Sequence, residues 1–134
     1  MFFEHSYQFS QRQEMADITS MIEEDVKASG VKEGICVVYT PHTTAGVTIN
    51  ENADPDVVRD MIRGYERAFP TGHEDYRHFE GNSHAHMKST AFGCEKTLIV
   101  HDGKLVLGIW QNVYLCEFDG PRRRRVYVRV MKDA

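Results

Sequence analysis

The stretch "KTLIVHDGKLVLGIW", residues 96–110, decides the fold class. It places Asp102-Gly103 between two apolar runs, and this dipeptide is typical of the type I′ turn that joins the strands of a β-hairpin. Two further apolar runs, "VYLCEF" (113–118) and "RRVYVRV" (124–130), follow it and have the composition of strands. Four consecutive strands predict a mostly antiparallel sheet in the C-terminal part of the chain.

The N-terminal part adds a helix to further strands. Residues 2–9 alternate loosely and predict an opening strand, and "GICVVYT" (34–40) and "TTAGVTINEN" (43–52) predict two more. Between the first and the second of these strands, four apolar residues recur at i, i+3, i+4 and i+8, namely Ile18, Met21, Ile22 and Val26. This spacing predicts an amphipathic helix over about residues 12–28, closed by Gly30.

Two more helices are predicted in the middle of the chain. Asp54-Pro55-Asp56 supplies a side-chain acceptor at the N-cap and proline at the first helical position. The apolar residues of this helix are expected to form a buried stripe before Pro70 ends it: Val57, Val58, Met61, Ile62, Tyr65 and Phe69. Ser83 is expected to cap a short helix over about residues 84–91, with Gly93 as its stop.

These elements predict an α+β protein. The sheet, or sandwich-like pair of sheets, is mostly antiparallel and carries two main helices and one short helix on one side. The length of 134 residues fits one domain over residues 1–134, because no linker rich in proline, glycine or serine divides the chain.

Composition limits the partners and the compartment. The net charge of -4 argues against general nucleic-acid binding, which needs a basic surface. No apolar run approaches the roughly 20 residues that cross a membrane, and the N-terminus lacks a signal peptide. Cys36, Cys94 and Cys116 form no CxxC pair, so reduced thiols and a cytoplasmic location are expected.

The polar stretch "HFEGNSHAHMKSTAFG" (78–93) is the main candidate for a functional site. A spacing of two residues brings side chains to one side of an extended segment but spreads them around a helix. The polar residues at this spacing are His78, Glu80, Asn82, His84 and His86. Imidazoles and carboxylates are ligands of zinc and similar ions, yet this spacing also suits a solvated polar loop. His84 and His86 can act together only if the helix starts after His84.

Two other segments offer polar groups that capping or packing does not require. His42 lies in a loop between strands, where it is either a ligand or a solvated histidine. The segment "NENADP" (50–55) needs only Asp54 for capping, which leaves its amides and Glu51 free. In "PRRRRVYVRV" (121–130) the arginines form either a solvated outer strand face or, at Arg122, a phosphate-binding fork.

Three long segments of the chain resemble the signature regions of the YjbQ family, and the resemblance covers nearly the whole chain. They are "PHTTAGVTINENADPDVVRDM", "YRHFEGNSHAHMKS" and "LVLGIWQNVYLCEFDGPRRRRVYV". The resemblance implies a compact α+β fold with a sandwich-like core, a homotrimer, and a secondary thiamine-phosphate synthase activity. That reaction joins a pyrimidine methyl diphosphate to a thiazole phosphate and releases diphosphate.

The resemblance also marks a set of polar positions, which includes several of those singled out above. They are His42, Thr43, Asn50, Glu51, Asn52, Asp54, His78, Glu80, His86, Lys88, Trp110, Gln111 and Glu117. The chain departs from the family pattern at His84, where a carboxylate or small residue is frequent, so His84 is the weaker candidate for a metal ligand.

Chemistry and resemblance together predict one site. His42, His78 and His86 are expected to bind a divalent metal, zinc or magnesium, that neutralises a leaving diphosphate or polarises water. The groups expected to take part in the reaction are Glu80, Asp54 and His86. The groups expected to bind the phosphorylated substrate are Lys88 and Arg122 through charge, and Asn52 and Gln111 through uncharged hydrogen bonds.

Three functions are consistent with this site. The first is an enzyme acting on phosphorylated small molecules, with thiamine-phosphate synthesis as a weak activity. The second is a metal-dependent hydrolase with a histidine-rich site. The third is a non-catalytic trimeric module that binds a metabolite or a metal.

Overall fold

The computed structural model describes residues 1–134, which form eight strands and three helices. The strands are β1 (Phe2–Gln8), β2 (Glu14–Asp17), β3 (Gly34–Tyr39), β4 (Ala45–Asn50), β5 (Glu95–His101), β6 (Lys104–Leu105), β7 (Asn112–Glu117) and β8 (Arg123–Lys132). The helices are α1 (Thr19–Ser29), α2 (Pro55–Ala68) and α3 (Ser83–Phe92). All strand pairs are antiparallel, which confirms the predicted α+β class.

The hairpin turn is confirmed, but its second strand is shorter than predicted. Asp102 and Gly103 have φ values of 52° and 75°, the two positive angles that a type I′ turn requires. The strand pairing with β5 ends at Leu105, followed by one more backbone bond from the Val106 N–H to the Ile99 carbonyl at 2.9 Å. Beyond it the chain turns back on itself, because the Gln111 side chain accepts from the Gly108 N–H at 2.7 Å. Residues 106–110 are therefore a loop, where a continuing strand was expected.

The strands form two sheets with the main core between them. One sheet has the order β1-β8-β3-β5-β6 and the other β2-β7-β4. The largest apolar cluster takes residues from both sheets and from α1, including Ile22, Val26, Val38, Val47, Leu115 and Val128. This is the sandwich-like arrangement that the sequence predicts.

The helices lie on two sides of the smaller sheet, where one side was expected. Helix α1 packs into the main core, whereas α3 and part of α2 pack on the opposite face of β7. Every residue from Val113 to Phe118 is consequently buried, because the main core covers one face of this strand and the α2–α3 layer covers the other. The smaller sheet therefore has both faces covered.

The first helix begins later than predicted. Residues 14–17 form β2 and pair with β7, so the helix starts at Thr19 where about residue 12 was expected. Asp17 fixes this boundary, because its Oδ1 accepts from the N–H and the hydroxyl of Thr19 at 2.9 and 2.6 Å. Partners in β7 thus outweigh the local helical tendency of residues 12–16.

Helix α2 starts as predicted but does not bury its apolar stripe. Asp54 is the N-cap and accepts from the Asp56 N–H at 2.9 Å, with Pro55 at the first helical position. No residue of α2 is buried. Three of its residues, Val58, Met61 and Tyr65, nevertheless pack against a second apolar cluster, which contains Ala85 and Phe92 of α3 and residues of β7. The apolar stripe is therefore only partly covered.

Strand β8 has one arginine on its inner face. Arg123, Arg125 and Arg129 are exposed as the alternation predicts, but Arg124 points inward with Val126 and is buried.

No helix of the protein is long and apolar enough to cross a membrane.

Candidate functional site

An open cleft at the start of α3 brings two of the predicted histidines together. His78 begins a turn before the helix, closed by the Gly81 N–H donating to the His78 carbonyl at 3.1 Å, and His86 lies on the half-exposed face of α3. Their ring centroids are 5.6 Å apart in an edge-to-face arrangement, and both line a cleft of about 570 Å³. This volume is within the range of small-molecule sites, and two imidazoles in one cleft can exchange protons with a bound substrate.

Charged groups of both signs accompany the two imidazoles. The carboxylate of Glu80 lies 3.9 Å from His78 Nε2, close enough for electrostatic coupling but beyond a direct hydrogen bond. Glu80 does not line the cleft itself, whereas Arg77 and Asp75 do, with Ser83 and Tyr76. The cleft thus offers acid–base groups beside a guanidinium that can bind phosphate.

The residues of one chain do not form a complete metal site. No group of three or more histidine, cysteine, aspartate or glutamate side chains lies close enough together to hold an ion. His78 and His86 supply two imidazoles, but His42 does not line their cleft. A zinc ion with three protein ligands does not fit this arrangement.

His84 and Lys88 lie on the opposite, buried face of α3. Lys88 is fully buried, and its ammonium donates to Glu66 Oε1 and to His84 Nδ1, both at 2.7 Å. Lys88 therefore does not reach the cleft, and its charge is matched by Glu66 in α2. This pair ties α2 to α3.

Glu66 is held in its charged form by four hydrogen bonds. Burial by itself raises its pKa, but bonds from Lys88, from the N–H and hydroxyl of Thr71, and from Gln13 outweigh it and lower the pKa to about 2. The carboxylate is thus ionised at neutral pH, and the Lys88–Glu66 contact is an ion pair.

The ion pair fixes the tautomer of His84. A lysine ammonium has no lone pair and can only donate, so His84 Nδ1 is the acceptor and Nε2 carries the proton. Burial, and then the Lys88 charge, lower the pKa of His84, so the ring is neutral. The protonated Nε2 is buried and has no hydrogen-bond partner within the protein.

Asn82, just before α3, holds a second unpaired atom. Its Nδ2 donates to Asp119 Oδ2 at 2.9 Å, while its Oδ1 is buried without a partner. Asp119 also accepts from Arg122 Nη2 at 3.0 Å. Burial raises the pKa of Asp119, but the bonds from Asn82 and Arg122 lower it overall, so Arg122 is paired with a charged carboxylate.

His42 lies among arginines at the end of β3. Its Nε2 accepts from the Arg125 N–H at 2.9 Å, so this nitrogen is not available to a metal. Burial, and then the charge of Arg124, lower the pKa of His42. The neutral ring holds the β3–β4 loop against β8.

The predicted polar groups before α2 and at residue 111 make structural bonds within the chain. Asn52 donates to Asp17 Oδ2 at 2.6 Å, and Asp54 is the N-cap of α2. Gln111 holds the turn at Gly108. The structure places none of these three in the cleft with His78 and His86.

Several groups around the site were missed by the sequence reasoning. Arg77 precedes His78 directly in the sequence, and this adjacency could have indicated that Arg77 belongs to the same site. Glu66 and Asp119 gave no such signal, because their partners Lys88 and Asn82 are 22 and 37 residues away along the chain.

Comparison with known proteins places the chain among relatives over almost its full length. A family model described as UPF0047 protein YjbQ-like matches residues 4–133. UPF0047 protein YugU of Bacillus subtilis is 51% identical over 91% of this chain and 92% of its own length. UPF0047 protein MJ1081 of Methanocaldococcus jannaschii is 48% identical over 99% of this chain and 96% of its own.

Solved structures agree with this assignment. A protein of the YjbQ/UPF0047 family from Clostridium acetobutylicum has a TM-score of 0.94 and 49% identity, covering 96% of this chain and 99% of that one. A YbjQ-like protein of unknown function from Sulfolobus solfataricus P2 has a TM-score of 0.95 and 32% identity, covering 99% and 97%. Sequence motifs, fold and relatives lead to one conclusion: the chain belongs to the YjbQ-like UPF0047 family.

Proposed function

We propose that this protein is an enzyme acting on a phosphorylated small molecule, with weak thiamine-phosphate synthase activity. The observation that carries the proposal is the cleft lined by His78, His86 and Arg77. It combines two imidazoles, a side chain that serves as general acid or base in enzymes, with a cation that binds phosphate oxygens. A carboxylate, Glu80, lies next to one of the imidazoles.

These groups suit a reaction in which diphosphate leaves. In the synthase reaction the bond between the pyrimidine methylene carbon and a diphosphate oxygen breaks, and the thiazole nitrogen forms a bond to that carbon. Arg77 stabilises the charge on the leaving oxygens. His86 donates a proton to the leaving group, and Glu80 stabilises the protonated form of His78.

The proposal includes a homotrimer. Phe79, next to His78, is 91% exposed in the single chain, and Ile109 is 89% exposed. Trp110 and Val106 are also exposed in the same loop as Ile109. Contact with a second copy would cover these side chains and bring additional groups near the cleft.

Loss of turnover in His86→Ala tests the function. The assay measures diphosphate release from pyrimidine methyl diphosphate and thiazole phosphate, and then phosphate release from a panel of phosphorylated metabolites. Removing a general acid lowers kcat by about 100-fold or more. His101→Ala is the matched control, because His101 is exposed on β5, away from the cleft.

Three results would contradict the proposal or favour another function. Equal turnover in the wild type and in both His78→Ala and His86→Ala would exclude the cleft as the reaction site. Binding of a phosphorylated ligand without any histidine-dependent turnover would instead support a non-catalytic module. Hydrolysis that depends on added Zn²⁺, Mn²⁺ or Mg²⁺ would favour a metal-dependent hydrolase.

A further inference from the structure

The first turn of α3 has backbone donors that no side chain caps. Helix α3 has ten residues, and its N-cap, Asn82, makes no side-chain capping bond. By contrast, Asp54 caps α2 with its carboxylate. An uncapped helix N-terminus directs N–H groups and the positive end of the helix dipole outward, which favours an anion.

Two buried side-chain atoms at this turn independently indicate a ligand. His84 is 1% exposed and Asn82 is 6% exposed, yet His84 Nε2 and Asn82 Oδ1 have no partner. They are the only buried side-chain polar atoms of the protein left unpaired. Leaving such groups unpaired destabilises a folded protein, so their presence at one turn calls for an explanation.

The hydrogen-bonding roles of the two atoms are fixed by their neighbours. His84 Nε2 is a donor, because the Lys88 ammonium occupies Nδ1. Asn82 Oδ1 is an acceptor, because the Asp119 carboxylate accepts from Nδ2. A single ligand bonded to both atoms would therefore accept one hydrogen bond and donate another.

The charged side chains around His84 have a net positive charge. Lys88 is paired with Glu66, and Asp119 with Arg122. Arg12 is close enough to lower the pKa of His84, and it makes no ion pair. This unpaired guanidinium adds to the helix dipole in favouring an anionic ligand.

We propose that the N-terminal turn of α3 binds a phosphate group that carries a proton. His84 Nε2–H donates to one phosphate oxygen, and the phosphate hydroxyl donates to Asn82 Oδ1. The inference rests on the proposed function, since it assigns the substrate's phosphate to this turn. Ser83, between the two residues in the sequence, lines the cleft.

Phosphate and sulfate distinguish this site from a general anion site. At about pH 6 inorganic phosphate carries protons, whereas sulfate has none to donate. Sulfate would place an oxygen lone pair against Asn82 Oδ1, and we expect it to bind at least about tenfold more weakly than phosphate. Calorimetric titration of the full chain with each ion, at equal ionic strength, measures the ratio.

Nuclear magnetic resonance of the wild-type protein locates the binding without any substitution. Phosphate is expected to shift the His84 imidazole N–H and the Asn82 side-chain amide, while sulfate at equal concentration leaves them in place. Unshifted signals at both residues under saturating phosphate would overturn the inference. Equal shifts with sulfate would overturn the protonated-phosphate assignment in the same experiment.

A matched pair of variants provides a second test. His84→Phe keeps a planar ring but removes Nε2–H, and we expect phosphate affinity to fall by about tenfold or more. His101→Phe makes the same change on the surface and should leave the affinity unchanged. Wild-type affinity in a folded His84→Phe protein would overturn the inference, and if the variant does not fold, the wild-type resonances decide.

The two proposals fail in distinguishable ways. Phosphate shifts at His84 combined with turnover that ignores His86 would overturn the proposed function and leave this inference standing. Turnover that depends on His86 with unshifted His84 resonances would overturn only the phosphate site.

Discussion

The buried ion pair between Arg124 and Glu117 gives the sharpest prediction for stability. Glu117 is fully buried and Arg124 is 4% exposed. Arg124 Nε donates to Glu117 Oε2 at 2.9 Å, and Arg124 Nη2 also donates to the carbonyl and hydroxyl of Thr44. The other carboxylate oxygen accepts from the Asp119 N–H at 3.0 Å. Both charged groups thus have their partners within the core.

Replacing one partner leaves the other charged and buried. We expect Glu117→Leu to lower the free energy of unfolding by about 3–5 kcal/mol, because the guanidinium loses its counter-ion without regaining water. This is a large share of the roughly 5–15 kcal/mol that stabilises a typical domain. With a urea m-value of about 2 kcal/mol/M, a loss of 4 kcal/mol moves the unfolding midpoint by about 2 M.

A double-mutant cycle separates the pair from its surroundings. Glu117→Leu combined with Arg124→Met removes both charges and keeps apolar volume, so the double variant should be more stable than either single variant. Its remaining deficit should be about 1–2 kcal/mol, for the lost bonds to Thr44 and the Asp119 N–H. The exposed pair Arg59–Asp60 is the control, and Asp60→Asn should change stability by less than about 0.5 kcal/mol.

The measurement is equilibrium unfolding in urea, followed by far-ultraviolet circular dichroism and tryptophan fluorescence. A loss below about 1 kcal/mol in Glu117→Leu at an unchanged m-value would refute the argument. A double variant that loses the sum of the two single losses would also refute it, since the pair would then contribute nothing through its mutual contact.

Two further predictions concern the α2–α3 contact and the exposed loop. The pKa of Glu66 is lowered from 4.5 to about 2, so its contribution is fully present above pH 4.5 and is lost as the pH falls towards 2. Allowing for its 36% exposed side chain, we expect about 1–2 kcal/mol, and acid titration should show Glu66→Gln losing less stability than the wild type over this range. Ile109→Asp should convert the proposed trimer to monomer in light scattering, because a carboxylate cannot be buried unpaired at an interface. A trimer of unchanged affinity would place the interface elsewhere.

The sequence alone predicted elements whose causes are local. The Asp102-Gly103 turn and the Asp54-Pro55 helix start depend on backbone angles and capping bonds within a few residues, and the structure has both. The α+β class followed from the same local patterns, and the family resemblance rested on motifs spread along the chain.

The sequence could not decide which surfaces are covered. The apolar stripe of α2 predicts a buried face, but the helix buries no residue. Residues 14–17 fit a helix, yet pairing with β7 makes them a strand. Periodicity identifies one face of an element, whereas burial depends on partners far away along the chain.

The candidate site shows the same division at the level of single side chains. The sequence indicated "HFEGNSHAHMKSTAFG" as the candidate site and separated His84 from His86, because a helix directs them to different faces. Only the tertiary structure decided that Lys88 is buried against Glu66 and that His84 keeps an unpaired donor. Helical spacing determines which face of the helix a side chain lies on, but long-range packing determines which element covers that face.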